Sequence, residues 1–261
     1  MLETIETALV TGASSGIGEA FARHLAALGK DLILVARREA VLEQLAQELS
    51  SQHSVQTHVF VRDLARPRAA AGLFVDTERR GLAVDLLVNN AGFARVGRFA
   101  ELSLDEQARM ARLNVNALLE LTRLYLPAMR LRRRGGIINV SANSAFQPVP
   151  HMAVYAATKA FVLSFSEALA EEVREDGVSV LALCPGATAT DFWAKAGKWQ
   201  TPFAKMATPE EVVRAGLRAF AGGRTSIVPG ALNSVAAFAA SRLIPRRLVT
   251  RLAGWAMAPD S

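Results

Sequence analysis

Short apolar runs rich in Val, Ile and Leu recur along the chain with helix-length stretches between them, and this alternation constrains the fold more than any other feature. Thr7–Thr11 (TALVT), Asp31–Val35 (DLILV), Val55–Val61, Val84–Val88 (VDLLV), Gly136–Ser141 and Val178–Leu183 read as strands, with Thr225–Val228 as a seventh. Helices are expected over Gly16–Leu28, Glu39–Leu49, about Leu104–Arg133 and about Ala153–Asp176. Strands that are apolar on both faces and alternate with helices belong to a parallel sheet covered on both sides. Ligands of such sheets bind beyond the carboxyl ends of the strands, so the residues that follow each apolar run should carry the chemistry.

The first run leads straight into Thr11-Gly12-Ala13-Ser14-Ser15-Gly16-Ile17-Gly18, where a helix begins. Glycines at this spacing permit a tight turn and bring the backbone close to a pyrophosphate at the helix N-terminus. The expected fold is therefore α/β, a Rossmann-type doubly wound parallel sheet of about seven strands with helices on both faces. Gly12, Ser14, Ser15, Gly16, Ile17 and Gly18 are its candidate cofactor-binding residues. The second strand ends Val35-Ala36-Arg37-Arg38. An NAD site needs a carboxylate there for the ribose 2′-hydroxyl, whereas alanine followed by arginine suits a 2′-phosphate. Arg37 is the expected clamp, with Arg38 and Ser14 assisting, so the expected cofactor is NADP(H). Asp63-Leu64, after the third strand, is placed to meet an adenine. Asn89-Asn90-Ala91-Gly92, after the fourth, offers small residues along the cofactor's flank.

Tyr155 and Lys159 stand four residues apart in Tyr-Ala-Ala-Thr-Lys and share one face of a helix. A tyrosine ordinarily holds its proton to about pH 10. A nearby ammonium, with the positive ring of an oxidised nicotinamide, is expected to bring the phenol into useful range. Such a pair suits carbonyl reduction: hydride reaches carbon while the phenol protonates the developing alkoxide.

TGASSGIG, Asp63-Leu64, NNAG, a helical Asn114, IINVS, YAATK and Cys-Pro-Gly-Ala-Thr-Ala-Thr follow one another in order over about Ala8 to Phe192. In these elements the chain resembles the short-chain dehydrogenase/reductase family. The resemblance implies that Asn114 holds a water linking Lys159 to solvent, and that Lys159 also bonds the nicotinamide ribose. It implies that Pro185, Gly186, Thr188 and Thr190 flank the nicotinamide and pyrophosphate, that the lid follows Thr190, and that the protein is a homo-oligomer, a dimer or tetramer built on two long helices.

One position departs from the family pattern. The family's serine, thirteen residues before the tyrosine, falls on Ala142. Ser141 is adjacent, but strand alternation turns it away. Ser144 has the parity of 142 and is the expected substitute in the catalytic set with Asn114, Tyr155 and Lys159; Tyr155 with a water is the other option. Loss of one oxyanion donor typically costs about a hundredfold to a thousandfold in rate. The expected function is an NADPH-dependent oxidoreductase of a carbonyl or secondary alcohol. An apolar substrate is suggested by Asp191-Phe192-Trp193, Lys198-Trp199-Gln200 and Phe203, with Phe93, Arg95, Phe146, Val149 and Met152. A dinucleotide-binding sensor or scaffold with weak or no catalysis is the competing function, supported by Ala142 alone.

Composition narrows the alternatives. The 30 Lys and Arg are interspersed with 24 acids for a net charge of +6, with no basic stripe of the kind that nucleic-acid binding needs. A single cysteine, Cys184, excludes an intrachain disulfide and points to a reducing compartment, and His24, His53, His58 and His151 lack metal-ligand spacing. The N-terminus carries acids where a signal peptide carries positive charge, so a cytoplasmic protein is expected. No composition shift marks a linker, which gives one catalytic domain over 1–261, with residues from about 190 forming a lid and C-terminal segment. In that segment, Ser234–Leu243 is apolar, and Arg242, Arg246, Arg247 and Arg251 alternate with Leu248, Val249 and Leu252. It suits a helix covering the substrate pocket or a subunit interface, which Pro245 and the mixed pattern favour, or contact with an anionic membrane. Arg132-Arg133-Arg134 ends a long helix, where cations offset the dipole.

Overall fold

The computed structural model describes residues 2–197 and 206–258. Seven parallel strands form one sheet in the order β3-β2-β1-β4-β5-β6-β7: β1 Thr7–Thr11, β2 Asp31–Ala36, β3 Thr57–Val61, β4 Leu86–Asn89, β5 Gly135–Val140, β6 Val178–Leu183 and β7 Ser226–Ile227. The helices between them are α1 Gly16–Ala27, α2 Glu39–His53, α3 Ala69–Arg79, α4 Leu104–Ala111, α5 Leu118–Arg132, α6 Ala153–Glu172, α7 Phe192–Ala196 and α8 Pro209–Ala221, and after β7 come α9 Ala231–Arg242 and α10 Arg246–Ala256.

The alternation of side chains along each strand builds two apolar layers. In β1, Ala8 and Val10 join Leu25, Leu42 and Phe220 on one face, while Leu9 joins Leu73, Leu121 and Met129 on the other. Both faces of the sheet are thus dry, as the near-continuous apolar runs require. The strand order reverses direction between β1 and β4, whose register pairs Val10 with Val88. Connections leave these two strands toward opposite sides, and a crevice opens above their carboxyl ends.

Two of the helices, α3 and α8, lie outside those expected above, although α8 buries Val212, Val213, Leu217 and Phe220 along one face. α3 follows Arg68, which sits at φ 62 and supplies no side-chain cap. α8 does carry a legible start: Thr208 and Glu211 form a capping box with Pro209 at the first position. The single helix expected over Leu104–Arg133 is instead interrupted, because residues Arg112–Ala117 take a π-helical turn. Arg132 and Arg134 are structural: both reach the buried Asp85 carboxylate (3.5 and 3.3 Å), which also accepts the Glu6 and Thr7 amides at the entry to β1.

Candidate active site

A cleft of about 680 Å³ runs across the carboxyl ends of the strands. Every residue expected to hold a cofactor lines it except Gly18, which lies beneath the loop. A Cβ on Gly18 would stand 2.3 Å from the Gly12 carbonyl oxygen and 2.5 Å from Asn90 Nδ2, so only glycine lets α1 start this close to β1. Asn90 secures the same turn by donating from Nδ2 to the Thr11 carbonyl at 2.9 Å. Thr11 Oγ1 accepts the Asn90 and Ala91 amides at 2.9 and 3.0 Å. Ser15 caps α1 in position but makes no side-chain cap bond, which leaves the first-turn amides facing the cleft for an anion.

The two arginines after β2 divide their work. Arg38 donates to the Ser14 carbonyl at 2.5 Å and to Ser14 Oγ at 3.2 and 3.3 Å, so it fixes the glycine loop. Arg37 is exposed on the cleft wall and has no hydrogen-bond or ion-pair partner among the described residues. Asp63 is tied on both oxygens, to the Ala65 amide (3.1 Å) and to Arg109 (2.9 Å), and it still lines the cleft beside Leu64. Arg62, which pattern reasoning overlooks, adds a cation to the same wall and pairs with Asp76.

Tyr155 and Lys159 sit one turn apart on α6, both buried, with Nζ 5.7 Å from the phenol ring centroid. Lys159 donates to the Val140 carbonyl at 2.7 Å. Burial pulls its ammonium down to about 8. Burial pushes the Tyr155 phenol above its ordinary value, and no lowering from Lys159 counters this. In the protein alone desolvation sets this direction, with Nζ donating to a carbonyl while it stands over the phenol ring; the expected lowering draws also on the positive ring of a bound oxidised nicotinamide. A phenol that keeps its proton is the state a proton donor needs.

Asn114 lies within the π-helical turn, a distortion that concentrates at functional sites. It stands behind the cleft wall and does not line it. Its Nδ2 donates to the Phe93 carbonyl and to Thr158 Oγ1, both at 3.1 Å, and its Oδ1 accepts the Phe93 amide at 3.2 Å. Gly92 is wedged between it and the lysine: a Cβ there would stand 2.9 Å from Asn114 Oδ1 and 3.7 Å from Lys159 Nζ. Asn114, Gly92 and Lys159 therefore share one small space.

Ala142 is buried against Tyr155, Met152 and Val149. Ser141 Oγ donates to the Lys159 carbonyl at 2.7 Å and is spent on structure. Ser144, in the 3-10 turn Asn143–Phe146, lines the cleft, and its buried Oγ has no hydrogen-bond partner among the described residues. A buried hydroxyl without a partner is costly and calls for a reason.

Beyond Tyr155 the walls turn apolar. The aromatic neighbours are Phe192, whose ring centroid is 5.6 Å from that of Tyr155, and Trp193, set edge-on to Phe192 at 5.4 Å. Phe93, Val149 and Met152 join them, but Arg95 and Phe146 do not line the cleft. Arg95 instead pairs with Glu106 at 2.8 Å and donates to the Lys195 carbonyl at 2.7 Å, pinning α7. Phe146 packs beside Cys184. Lys198, Trp199, Gln200 and Phe203 lie outside the described residues. Pro185, Gly186, Thr188 and Thr190 line the cleft, and Gly186 abuts Asn233 of α9. Ala253, Ala256 and Met257, at and just after the end of α10, line the cleft as well. Cys184 is fully buried with its thiol pushed up to about 12, an inert spacer. Among the described residues no group of three or more His, Cys, Asp or Glu could hold a metal, and no helix is long and apolar enough to cross a membrane.

Sheet, glycine loop and Tyr–Lys pair define an α/β oxidoreductase. The family model for short chain dehydrogenase matches residues 6–201. A very-long-chain 3-oxoacyl-CoA reductase of Anas platyrhynchos is 36% identical over 219 residues, covering 80% of this chain and 67% of that protein. A short-chain dehydrogenase from Sphingobium yanoikuyae in complex with NADPH superposes with a TM-score of 0.82 at 33% identity, covering 92% of this chain and 97% of the other. A 7beta-hydroxysteroid dehydrogenase superposes with a TM-score of 0.87 at 28% identity, covering 96% and 98%. The chain belongs to the short-chain dehydrogenase/reductase family. These relatives give no support to a non-catalytic sensor.

Proposed function

We propose that this oxidoreductase is an NADPH-dependent reductase of an apolar ketone, with a long-chain 3-oxoacyl thioester as the leading substrate class. One observation carries it: a single cleft joins an unpaired guanidinium, Arg37, at one end to a chamber of Val149, Met152, Phe192 and Met257 around Tyr155 at the other. The glycine loop and first turn of α1 fit a pyrophosphate, and Arg37 fits a 2′-phosphate beside it. When bound, the nicotinamide supplies the hydride.

The chain's own groups handle the proton. Tyr155 donates its phenolic proton to the substrate oxygen, and burial keeps that proton in place until the oxygen becomes basic. Lys159 is an ammonium at neutral pH and restores the tyrosine's proton through the space it shares with Asn114. Ser144 Oγ, buried and unpaired at the cleft wall, donates to the same substrate oxygen in place of a serine at 142. The similarity to a 3-oxoacyl-CoA reductase and a hydroxysteroid dehydrogenase supports an apolar substrate. A shallow apolar hollow lined by Phe99, Val115, Val154 and Phe161, beside α4 and α6, suits pairing with a second copy.

Turnover should be followed as loss of NADPH absorbance with 3-oxoacyl thioesters of rising chain length, a polycyclic ketone and a small polar ketone, each repeated with NADH. The expected result is preference for NADPH and an efficiency that rises with acyl length. Preference for NADH, or for the small polar ketone, would overturn the assignment.

A further inference from the structure

α9 is out of place as a helix facing water. Eight of the twelve residues of its sequence, ALNSVAAFAASR, are apolar and they are spread around the helix, yet Ala237 is its only buried residue. Leu232, Val235 and Phe238 are exposed, the last at 59%. A helix that is apolar around its circumference is ordinarily buried. The exposure continues without a break through residues 241–248, Ser-Arg-Leu-Ile-Pro-Arg-Arg-Leu, where Leu243 is 69% exposed. Val249, Ala253 and Met257 at α10 then turn inward, while Leu248, Leu252 and Trp255 remain exposed, Trp255 at 72%.

The charge on this surface has one sign. Arg242, Arg246, Arg247 and Arg251 are all exposed, and the sequence holds no acid between Glu211 and Asp260. A second copy meeting this face about a twofold axis would set arginines against arginines with no carboxylate to pair them. An anionic lipid surface matches both properties at once, since leucine and aromatic side chains enter the acyl boundary while arginines meet the headgroups. The inner faces of the same two helices, through Asn233, Ala253, Ala256 and the adjoining Met257, wall the cleft.

We propose that α9, the 243–245 turn and α10 form a docking surface for an anionic lipid bilayer, seating the cleft's cap against the membrane. The surface is read from these two helices alone, so its test is independent of which ketone is reduced.

The full chain should be floated with vesicles of phosphatidylcholine, with and without phosphatidylglycerol. Binding to the anionic vesicles is expected, at least about tenfold weaker on neutral ones, and lost in R242E/R246E/R247E. L243S/L248S should weaken binding while leaving the salt dependence in place. None of these five residues lines the cleft, so reduction of a water-soluble ketone should be unchanged in both variants. Failure to float with anionic vesicles would overturn the proposal. So would unaltered flotation of the charge-reversed variant, or a mass in solution that falls in that variant, which would make the face a contact between copies.

Discussion

The cofactor end and the C-terminal cap of this molecule are built on different terms. Around Gly12–Gly18 the backbone is held by atoms that tolerate no substitution of kind: Gly18 against a carbonyl, Asn90 into the Thr11 carbonyl, Arg38 onto Ser14. The cap over the same cleft rests on apolar contact, through residues such as Val249, Ala253 and Met257. Directional contacts at close range fix residue identity and spacing, whereas apolar burial fixes only size and periodicity. Chemistry is therefore expected to reside in the first region and selectivity in the second.

The largest effect that could sharpen this contrast is at Lys159. Lys159→Met should lower the turnover number for reduction by about a hundredfold to ten thousandfold, with NADPH still bound. In the unaltered protein turnover should be level below about pH 8 and fall above it, as the buried ammonium gives up its proton. Between that value and the ordinary 10.5 the unfolded chain binds more protons than the folded one, so this group's contribution to stability rises with pH across the window. Melting temperature and turnover should thus move in opposite directions from about pH 8 upward. Turnover that rises with stability would break the assignment.

Ser144→Ala should come next, with turnover down about a hundredfold to a thousandfold. Because Ser144 Oγ is buried without a partner, the same change should stabilise the fold, by about 1–3 kcal/mol. Lower turnover with a higher melting temperature separates a functional hydroxyl from a packing defect. Ala142→Ser in that background should restore turnover. A smaller effect is expected for Arg37→Ala, a rise of about tenfold to a hundredfold in the KM for NADPH with NADH unaffected. Equal losses for both would place the 2′-phosphate elsewhere.

The same contrast explains what can be read from the sequence. The strands follow from the apolar runs, and the cleft-lining residues from Gly12 to Thr190 sit at motif spacings because backbone geometry demands them. Ser141 can be set aside by strand parity, and its bond to the Lys159 carbonyl agrees. The π-helical turn around Asn114 is illegible, since nothing in RLNVNA distinguishes it from α-helix. Arg95 and Phe146 fall outside the cleft against expectation because spacing says nothing of a rotamer: one is taken by Glu106 and the other by the Cys184 cluster. Ala253, Ala256 and Met257 lie far beyond Tyr155 in the chain, and only tertiary packing brings them to the cleft.

Tyr155→Phe bears most directly on the central claim, that the buried phenol delivers the proton in this cleft. NADPH affinity and single-turnover reduction of a long-chain 3-oxoacyl thioester should be measured side by side in both proteins. The account predicts unchanged affinity with reduction slowed by about a thousandfold or more. Reduction that persists within a few-fold of the parent rate would contradict it and move the proton donor to another group.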